Sequence, residues 1–255
     1  MHAILLAAGR GRRLESSGWL EPKCLLPFRD TTILDNMLDA LVMHGVTDVT
    51  LVVGYRQELI RAAVEARGDV RASWVENLDY ETTNTINSLW RARAFMRDAF
   101  LYFNADVLFH HEVVGRLLKA PGSRLAVDHK RCAEEEVKIV QNETGRVMEI
   151  GKKLDPVRCS GEFIGIAKFE ADMNEAFIAS LDRHNLELGN VNLFFEAALH
   201  DIVGEHSIFE VDVSDLPAIE IDFPDDLKQA REQIAPLILG AESGVDEEAG
   251  GSHSL

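Results

Sequence analysis

The chain opens with His2-Ala3-Ile4-Leu5-Leu6-Ala7, an apolar run that gives way within two residues to Gly9-Arg10-Gly11-Arg12-Arg13. A continuous apolar strand, unlike an alternating one, is buried on both faces, as inside a parallel sheet covered by helices on each side. The run also fixes where the chain turns polar. That point is the carboxyl end of a first strand, the edge at which open α/β sheets bind their ligands.

The following segments keep the same rhythm. Ile33-Leu34, Met37-Leu38 and Leu41-Val42 recur at helical spacing, and Gly45 ends the pattern. Val49 to Val53 predicts a second buried strand, Leu59-Ile60 with Ala63-Val64 a helix, and Val70 to Val75 a third strand. Ile86, Leu89-Trp90, Ala94 and Phe95 predict another helix, and Ala99 to Phe103 a fourth strand. Alternating strands and helices with right-handed crossovers predict an α/β fold with a doubly wound, mostly parallel, Rossmann-like sheet.

After residue 120 the rhythm changes. Arg124 to Asp128, Val137 to Gln141, Arg146 to Ile150 and Phe163 to Phe169 are short strand-like runs, which predict mixed or antiparallel additions at the far side of the sheet. Helices are expected over Met173 to His184 and Val191 to Val203, strands over Ile208 to Val213 and Ala218 to Ile221, and a last helix from Pro224 to about Ile234. Residues 1–238 are expected to form one domain with an insertion over about 124–170. The Gly-, Ser- and Glu-rich stretch 241–255 is expected to be disordered.

Composition narrows the function. Lys and Arg total 26 against 43 Asp and Glu, a net charge of -17 that disfavours nucleic-acid backbones as partners. A nucleotide needs only a local nest of donors and cations, so it stays allowed. Cys24, Cys132 and Cys159 form no CxxC pair and no zinc spacing, which suggests reduced thiols in the cytoplasm. The apolar run at Ala3 to Ala8 is too short to span a membrane, and its charges follow it instead of preceding it as in a signal peptide. The oligomeric state stays open, with a homodimer among the options.

The loop Leu6-Ala7-Ala8-Gly9-Arg10-Gly11-Arg12-Arg13-Leu14 has the chemistry of an anion nest. Two glycines let backbone N–H groups approach an anion, and guanidiniums grip phosphate oxygens in pairs. A dinucleotide-binding loop would need a glycine where Leu14 stands, and the string G-x-x-x-x-G-K-[ST] of a P-loop is absent. A plain strand-to-helix turn with solvated arginines is the alternative. Lys23, held behind Pro22, is placed to neutralise charge at an α-phosphate.

Leu6, Gly9, Gly11, Arg13 and Leu14, followed by Pro22-Lys23, resemble the signature of the nucleoside-triphosphate transferase (sugar-nucleotide pyrophosphorylase-like) superfamily. The resemblance continues through Asn104-Ala105-Asp106 to Glu220-Ile221-Asp222-Phe223-Pro224 and covers roughly residues 1 to 235. It implies the doubly wound nucleotidyltransferase fold, a nucleotide held along Leu6, Ala7, Ala8, Gly9, Gly11 and Ala105, and charge stabilisation by Arg13 and Lys23. It also implies that Asp106 and Asp222 hold Mg²⁺. Each aspartate closes an apolar strand, and Asp222 before Phe223-Pro224 fits a helix cap as well.

Asn77 to Leu89, carrying Tyr80, Thr83, Asn84 and Ser88, is similar to the corresponding stretch of the phosphocholine and phosphonate cytidylyltransferase branch, which implies CTP. Asn84 and Ser88 are the candidate base or ribose contacts, with helix capping by Thr85 or Asn84 as the competing reading. Lys138 and Lys152 are candidate clamps for the acceptor's phosphate or phosphonate, and Asp128 or Glu162 can meet an ammonium on it. The expected reaction is attack of a small phosphorylated or phosphonate acceptor on the α-phosphorus of CTP, with pyrophosphate leaving. A sugar-1-phosphate nucleotidyltransferase using another base and a nucleotide-binding regulatory module are the competing readings.

Overall fold

The structure is a computed structural model and describes residues 1–240; the stretch 241–255 expected to be disordered lies outside them. Strand β1 (His2–Ala7) runs through the middle of a nine-stranded sheet. After it come the small hairpin β2 (Pro27–Phe28) and β3 (Thr31–Thr32), then α1 (Ile33–Met43), β4 (Asp48–Val53), α2 (Gln57–Glu65) and β5 (Arg71–Glu76). The chain goes on through α3 (Thr85–Arg91), β6 (Phe100–Asn104), β7 (Val107–Phe109), α4 (Glu112–Lys119) and β8 (Ser123–Asp128). Next are β9 (Lys138–Gln141), β10 (Val147–Gly151), β11 (Gly161–Phe169), α5 (Asn174–Asp182) and α6 (Glu196–His200). The order closes with β12 (Ile208–Asp212), β13 (Ala218–Glu220), α7 (Pro224–Gln229) and α8 (Ala235–Leu239).

Strands β6, β1, β4 and β5 lie side by side and parallel, the doubly wound half that the alternating sequence demands. Side chains of β1 divide between two cores. Ala3, Leu5 and Ala7 pack with Met37, Leu38 and Ile60 of α1 and α2, and Ile4 and Leu6 pack with Ile86, Leu89 and Phe177 of α3 and α5. A strand buried this way must be apolar at every position, because each fully buried Leu or Ile contributes about 1.5–3 kcal/mol and a polar one would cost as much. Helix α1 starts with a reciprocal cap. Thr32 Oγ1 accepts from the Asp35 N–H at 3.0 Å while the Thr32 N–H donates to Asp35 Oδ2 at 3.2 Å.

The segments after residue 120 add to the same sheet. Strand β11 runs antiparallel to β6 along Ile166–Phe169 and to β8 and β9 elsewhere, so it joins the parallel half to the antiparallel one. Its register shifts between Phe163 and Ala167. Gly165 lies in this irregularity at φ 79°, where a Cβ would stand 2.8 Å from Asn104 Nδ2. That close approach seats β11 against the end of β6, next to Asp106.

Two expectations need correction, and one element was not expected. The helix expected over 191–203 is confined to Glu196–His200. Residues before it lie along the start of α3 instead, with the Asn84 N–H donating to the Val191 carbonyl at 2.9 Å and the Phe195 N–H to Thr85 Oγ1 at 2.9 Å. The helix expected to reach Phe95 ends at Arg91, with a separate turn over Arg93–Phe95. Beyond Asp106 the chain forms β7, which pairs antiparallel with β13 in a ribbon apart from the main sheet. No helix among the described residues is long and apolar enough to cross a membrane.

Candidate active site

The glycine loop leaves β1 and turns at Gly11, whose φ of 66° lies in the left-handed region that favours glycine. The turn is closed by the Leu14 N–H donating to the Gly11 carbonyl at 3.0 Å. A Cβ on Gly11 would sit 3.4 Å from the Cβ of Lys23, an ordinary contact distance, so the lysine stem lies directly alongside this turn. Arg13 follows in a short helical turn, Arg12–Ser17, and leads to the buried anchor Leu14.

Two aspartates approach from distant parts of the chain. Asp106 follows β6, and the Ile221 N–H donates to the Asp106 carbonyl at 3.0 Å, which ties the β6–β7 turn to the segment that carries Asp222. The β7–β13 ribbon makes the same connection at Val107 and Glu220. Carboxylate oxygens of Asp106, Glu220 and Asp222 all lie within 4.8 Å of one another. Asp106 Oδ1 is buried and has no hydrogen-bond partner. An all-oxygen donor set with one orphaned oxygen suits a hard divalent cation, and the residues present therefore fit a metal of that class.

The resident positive charge in this cluster is Lys23. Its Nζ donates to Asp106 Oδ2 at 2.8 Å and to Asp222 Oδ1 at 2.5 Å, and Arg13 Nη1 reaches Asp222 Oδ2 at 3.0 Å. Burial works to lower the Lys23 pKa, but Asp106 and Asp222 outweigh it and hold the ammonium above its ordinary value. Burial works to raise the Asp222 carboxyl, and Lys23 and Arg13 outweigh it and hold that group low. Glu220 goes the other way. Burial first, then Asp106 and Asp222, push it up to about 8. The Arg13 guanidinium also lies 4.7 Å from the Phe223 ring centroid.

These groups line a cavity of about 340 Å³ that also exposes Leu6, Ala7, Gly9, Ala105 and Asn84. Asn84 Oδ1 accepts from the Thr85 N–H at 2.8 Å and so caps α3, while its residue also faces the cavity. Both roles considered for Asn84 are compatible with its position. Ser88 lies buried one turn further on and accepts from Asn77 Nδ2 at 3.0 Å, and Ala8 is buried under the loop.

The four candidate acceptor residues divide. Lys152 lines this cavity, with its Nζ 4.4 Å from the Phe194 ring centroid. Asp128 and Glu162 line a neighbouring cavity of about 430 Å³, which shares Lys152, Glu220 and Asp222 as a common wall. Glu162 there is paired with Lys130 at 2.6 Å. Lys138 joins neither group. It is 1% exposed, and its Nζ donates to the carbonyls of Glu134, Glu136 and Lys152 at 2.9, 3.0 and 2.7 Å, which uses all three of its N–H donors.

Two acids escaped the sequence reading. Glu220 stands two residues before Asp222, and period-two alternation puts both on one side of an extended segment, a signal that was available. Glu196 opens α6 at 3% exposure and lines the cavity beside Lys152, with Oε2 buried and unpartnered. Burial pushes its carboxyl up to about 7. Embedded in Leu193-Phe194-Phe195-Glu196-Ala197-Ala198-Leu199, it carries no motif.

Comparison with known proteins adds to this geometry. The model of the MobA-like NTP transferase domain matches residues 3–146. The chain is 30% identical over 249 residues to the CMP-5'-(3-aminopropyl)phosphonate synthase of Streptomyces rubellomurinus, covering 92% of this chain but 39% of that protein. It is 25% identical over 250 residues to the CTP:phosphoglutamine cytidylyltransferase of Campylobacter jejuni, covering 89% of this chain and 98% of that one. The structure of the CTP:phosphocholine cytidylyltransferase of Streptococcus pneumoniae superposes with a TM-score of 0.76 at 20% identity, over 91% of this chain and 97% of that one, and so shares the fold.

Proposed function

Because the chain belongs to the MobA-like NTP transferase family and is a nucleotidyltransferase, we propose that it couples CTP to a small phosphonate or phosphoalcohol and releases pyrophosphate. The observation that carries this reading is the meeting of Lys23 and Arg13 with Asp106, Glu220 and Asp222 in the cavity under the Gly9–Gly11 turn. Residues 1–238 act in this reading as one catalytic unit, with 124–170 as its acceptor-side wall.

The acceptor's ionised oxygen attacks the α-phosphorus in line and the bond to the pyrophosphate oxygen breaks. No general base is required, because a phosphonate or phosphate is already an anion at neutral pH. The backbone of Leu6 to Gly11 cradles the phosphates, and Arg13 and Lys23 neutralise the charge that builds around the α-phosphate as pyrophosphate leaves. Mg²⁺ is the hard cation chosen for Asp106 and Asp222, with Glu220 beside them; when bound it supplies Lewis-acid charge neutralisation. In this reading Asn84, on the cavity wall, contacts the nucleoside, while Ser88 lies buried behind it and holds Asn77 instead; the CTP named in the Campylobacter relative supports cytosine as the base.

The acceptor occupies the Lys152 end of the cavity. Lys152 meets the anionic head, and the unpartnered Glu196 carboxylate takes a cationic group on its tail, as the aminopropylphosphonate in the name of the Streptomyces relative would offer. Asp128 and Glu162 line the adjoining cavity as its acidic outer wall. Pyrophosphate release is measured with CTP, UTP, GTP and dTTP against acceptors with and without an amine. CTP with an aminophosphonate is expected to give the highest rate. Turnover only with another base and a sugar 1-phosphate would replace this reading.

A further inference from the structure

We infer that Lys23 and Arg13 act as a resident counter-charge that keeps a bare divalent ion out of the carboxylate cluster, so that metal and nucleoside triphosphate bind with strong mutual reinforcement. The inference rests on the metal and triphosphate reading above and concerns how that site is regulated.

Both oxygens of Asp222 are already engaged, Oδ1 by Lys23 at 2.5 Å and Oδ2 by Arg13 at 3.0 Å, and Lys23 also holds Asp106 Oδ2 at 2.8 Å. Of the two aspartates, one oxygen has no partner, Asp106 Oδ1. A divalent ion arriving alone would have to share these carboxylates with an ammonium at contact distance, and like charges so close weaken affinity by about tenfold or more even with strong screening. Water screens this contact little, because the Lys23 side chain is 14% exposed.

The triphosphate offers the displaced cations a new place. The stem of Lys23 lies along the loop, its Cε 3.8 Å from where a Gly11 Cβ would be, so its ammonium stands between the loop that faces phosphate and the acids that face metal. With a triphosphate on the loop, phosphate oxygens take over Lys23 and Arg13, and the carboxylates become available to the cation. Conversely, a triphosphate without metal meets the carboxylates of Asp106 and Asp222 across the cavity. Each ligand therefore removes the obstacle to the other, and the factor is the same in both directions.

The test counts protein-bound Mn²⁺ by equilibrium dialysis with the full-length protein, first with Mn²⁺ alone. Lys23→Met is expected to bind Mn²⁺ at least about tenfold more tightly than wild type, since it removes the competing charge. Arg13→Gln is expected to gain about threefold, as for a half-exposed pair. Adding Asp106→Asn to Lys23→Met should abolish the gain. If Lys23→Met loses its native circular dichroism, Arg13→Gln carries the test alone, because its side chain is 51% exposed. Unchanged or weaker Mn²⁺ binding in the folded variants overturns the inference. Dialysis of wild type with Mn²⁺ and CTP, without acceptor, separates the two levels. If the folded variants show no gain, joint uptake there leaves the metal reading standing while the inference alone falls, and no uptake under any condition overturns both.

Discussion

Glu196→Gln should stabilise the empty protein at alkaline pH while weakening its hold on an amine-bearing acceptor. The side chain is 3% exposed, Oε2 has no partner, and burial pushes the carboxyl up to about 7, against the pull of its own backbone N–H and of Lys152. In the unfolded chain the same group titrates near its ordinary value of 4.5. Between those values the folded state keeps a proton that the unfolded state has released, so stability falls as pH rises through the window. Above pH 7 the cost of the buried charge is about 3 kcal/mol. Glutamine is close in shape and neutral, so it removes that cost, although its unpaired amide keeps the gain below this ceiling. Thermal unfolding at about pH 8 should place the variant up to about 10 °C above wild type, and the two should converge near about pH 5. In the same variant the KM for an aminophosphonate should rise by about 10- to 100-fold, the loss of one charge-assisted contact. A variant less stable than wild type at both pH values, with an unchanged acceptor KM, would refute the burial argument and the assigned role together.

The other predictions follow from the same geometry. Asp106→Ala should reduce pyrophosphate release to background while leaving circular dichroism intact, because the residue sits on a turn and not in either core. Lys23→Ala should lower turnover by about 100-fold or more, as for removal of one transition-state charge donor, and an unchanged rate removes it from the mechanism. Gly11→Ala should cost about 1 kcal/mol in stability from its φ of 66°, which thermal unfolding checks, because the new Cβ itself finds room beside the Lys23 stem at 3.4 Å. Thiol alkylation of the native protein should label Cys159 before Cys24, which is buried with its thiol pushed up to about 12; early loss of Cys24 would contradict its burial.

Local signals carried much of the fold and of the phosphate loop. A buried strand announces itself because each residue of β1 from Ala3 to Ala7 faces one of two cores, and α1 because Thr32 and Asp35 cap each other over a helical apolar stripe. The convergence of Asp106 with Asp222 was expected from resemblance; what builds it is the β7–β13 ribbon, with strands of three residues each that are too short to show a period. Glu196 and Lys138 are misleading in sequence for one shared reason. Their roles depend on distant backbone and cavity walls, and neighbouring residues give no hint that one is a buried orphan and the other a buried strut for three carbonyls. The 191–203 segment shows an apolar pattern that suits a helix, yet backbone partners at Asn84 and Ile86 keep its first residues out of one.

The central claim is that the glycine turn and the two distant aspartates gather around one metal–triphosphate complex. A crystal structure of the protein with CTP and Mg²⁺ tests it most directly. The account predicts phosphates along Gly9 to Gly11, a cation touching Asp106 and Asp222, and Lys23 turned from the carboxylates toward phosphate. A nucleotide lodged beyond Asp222 in the acidic outer cavity, or a cation that ignores Asp106, would contradict it.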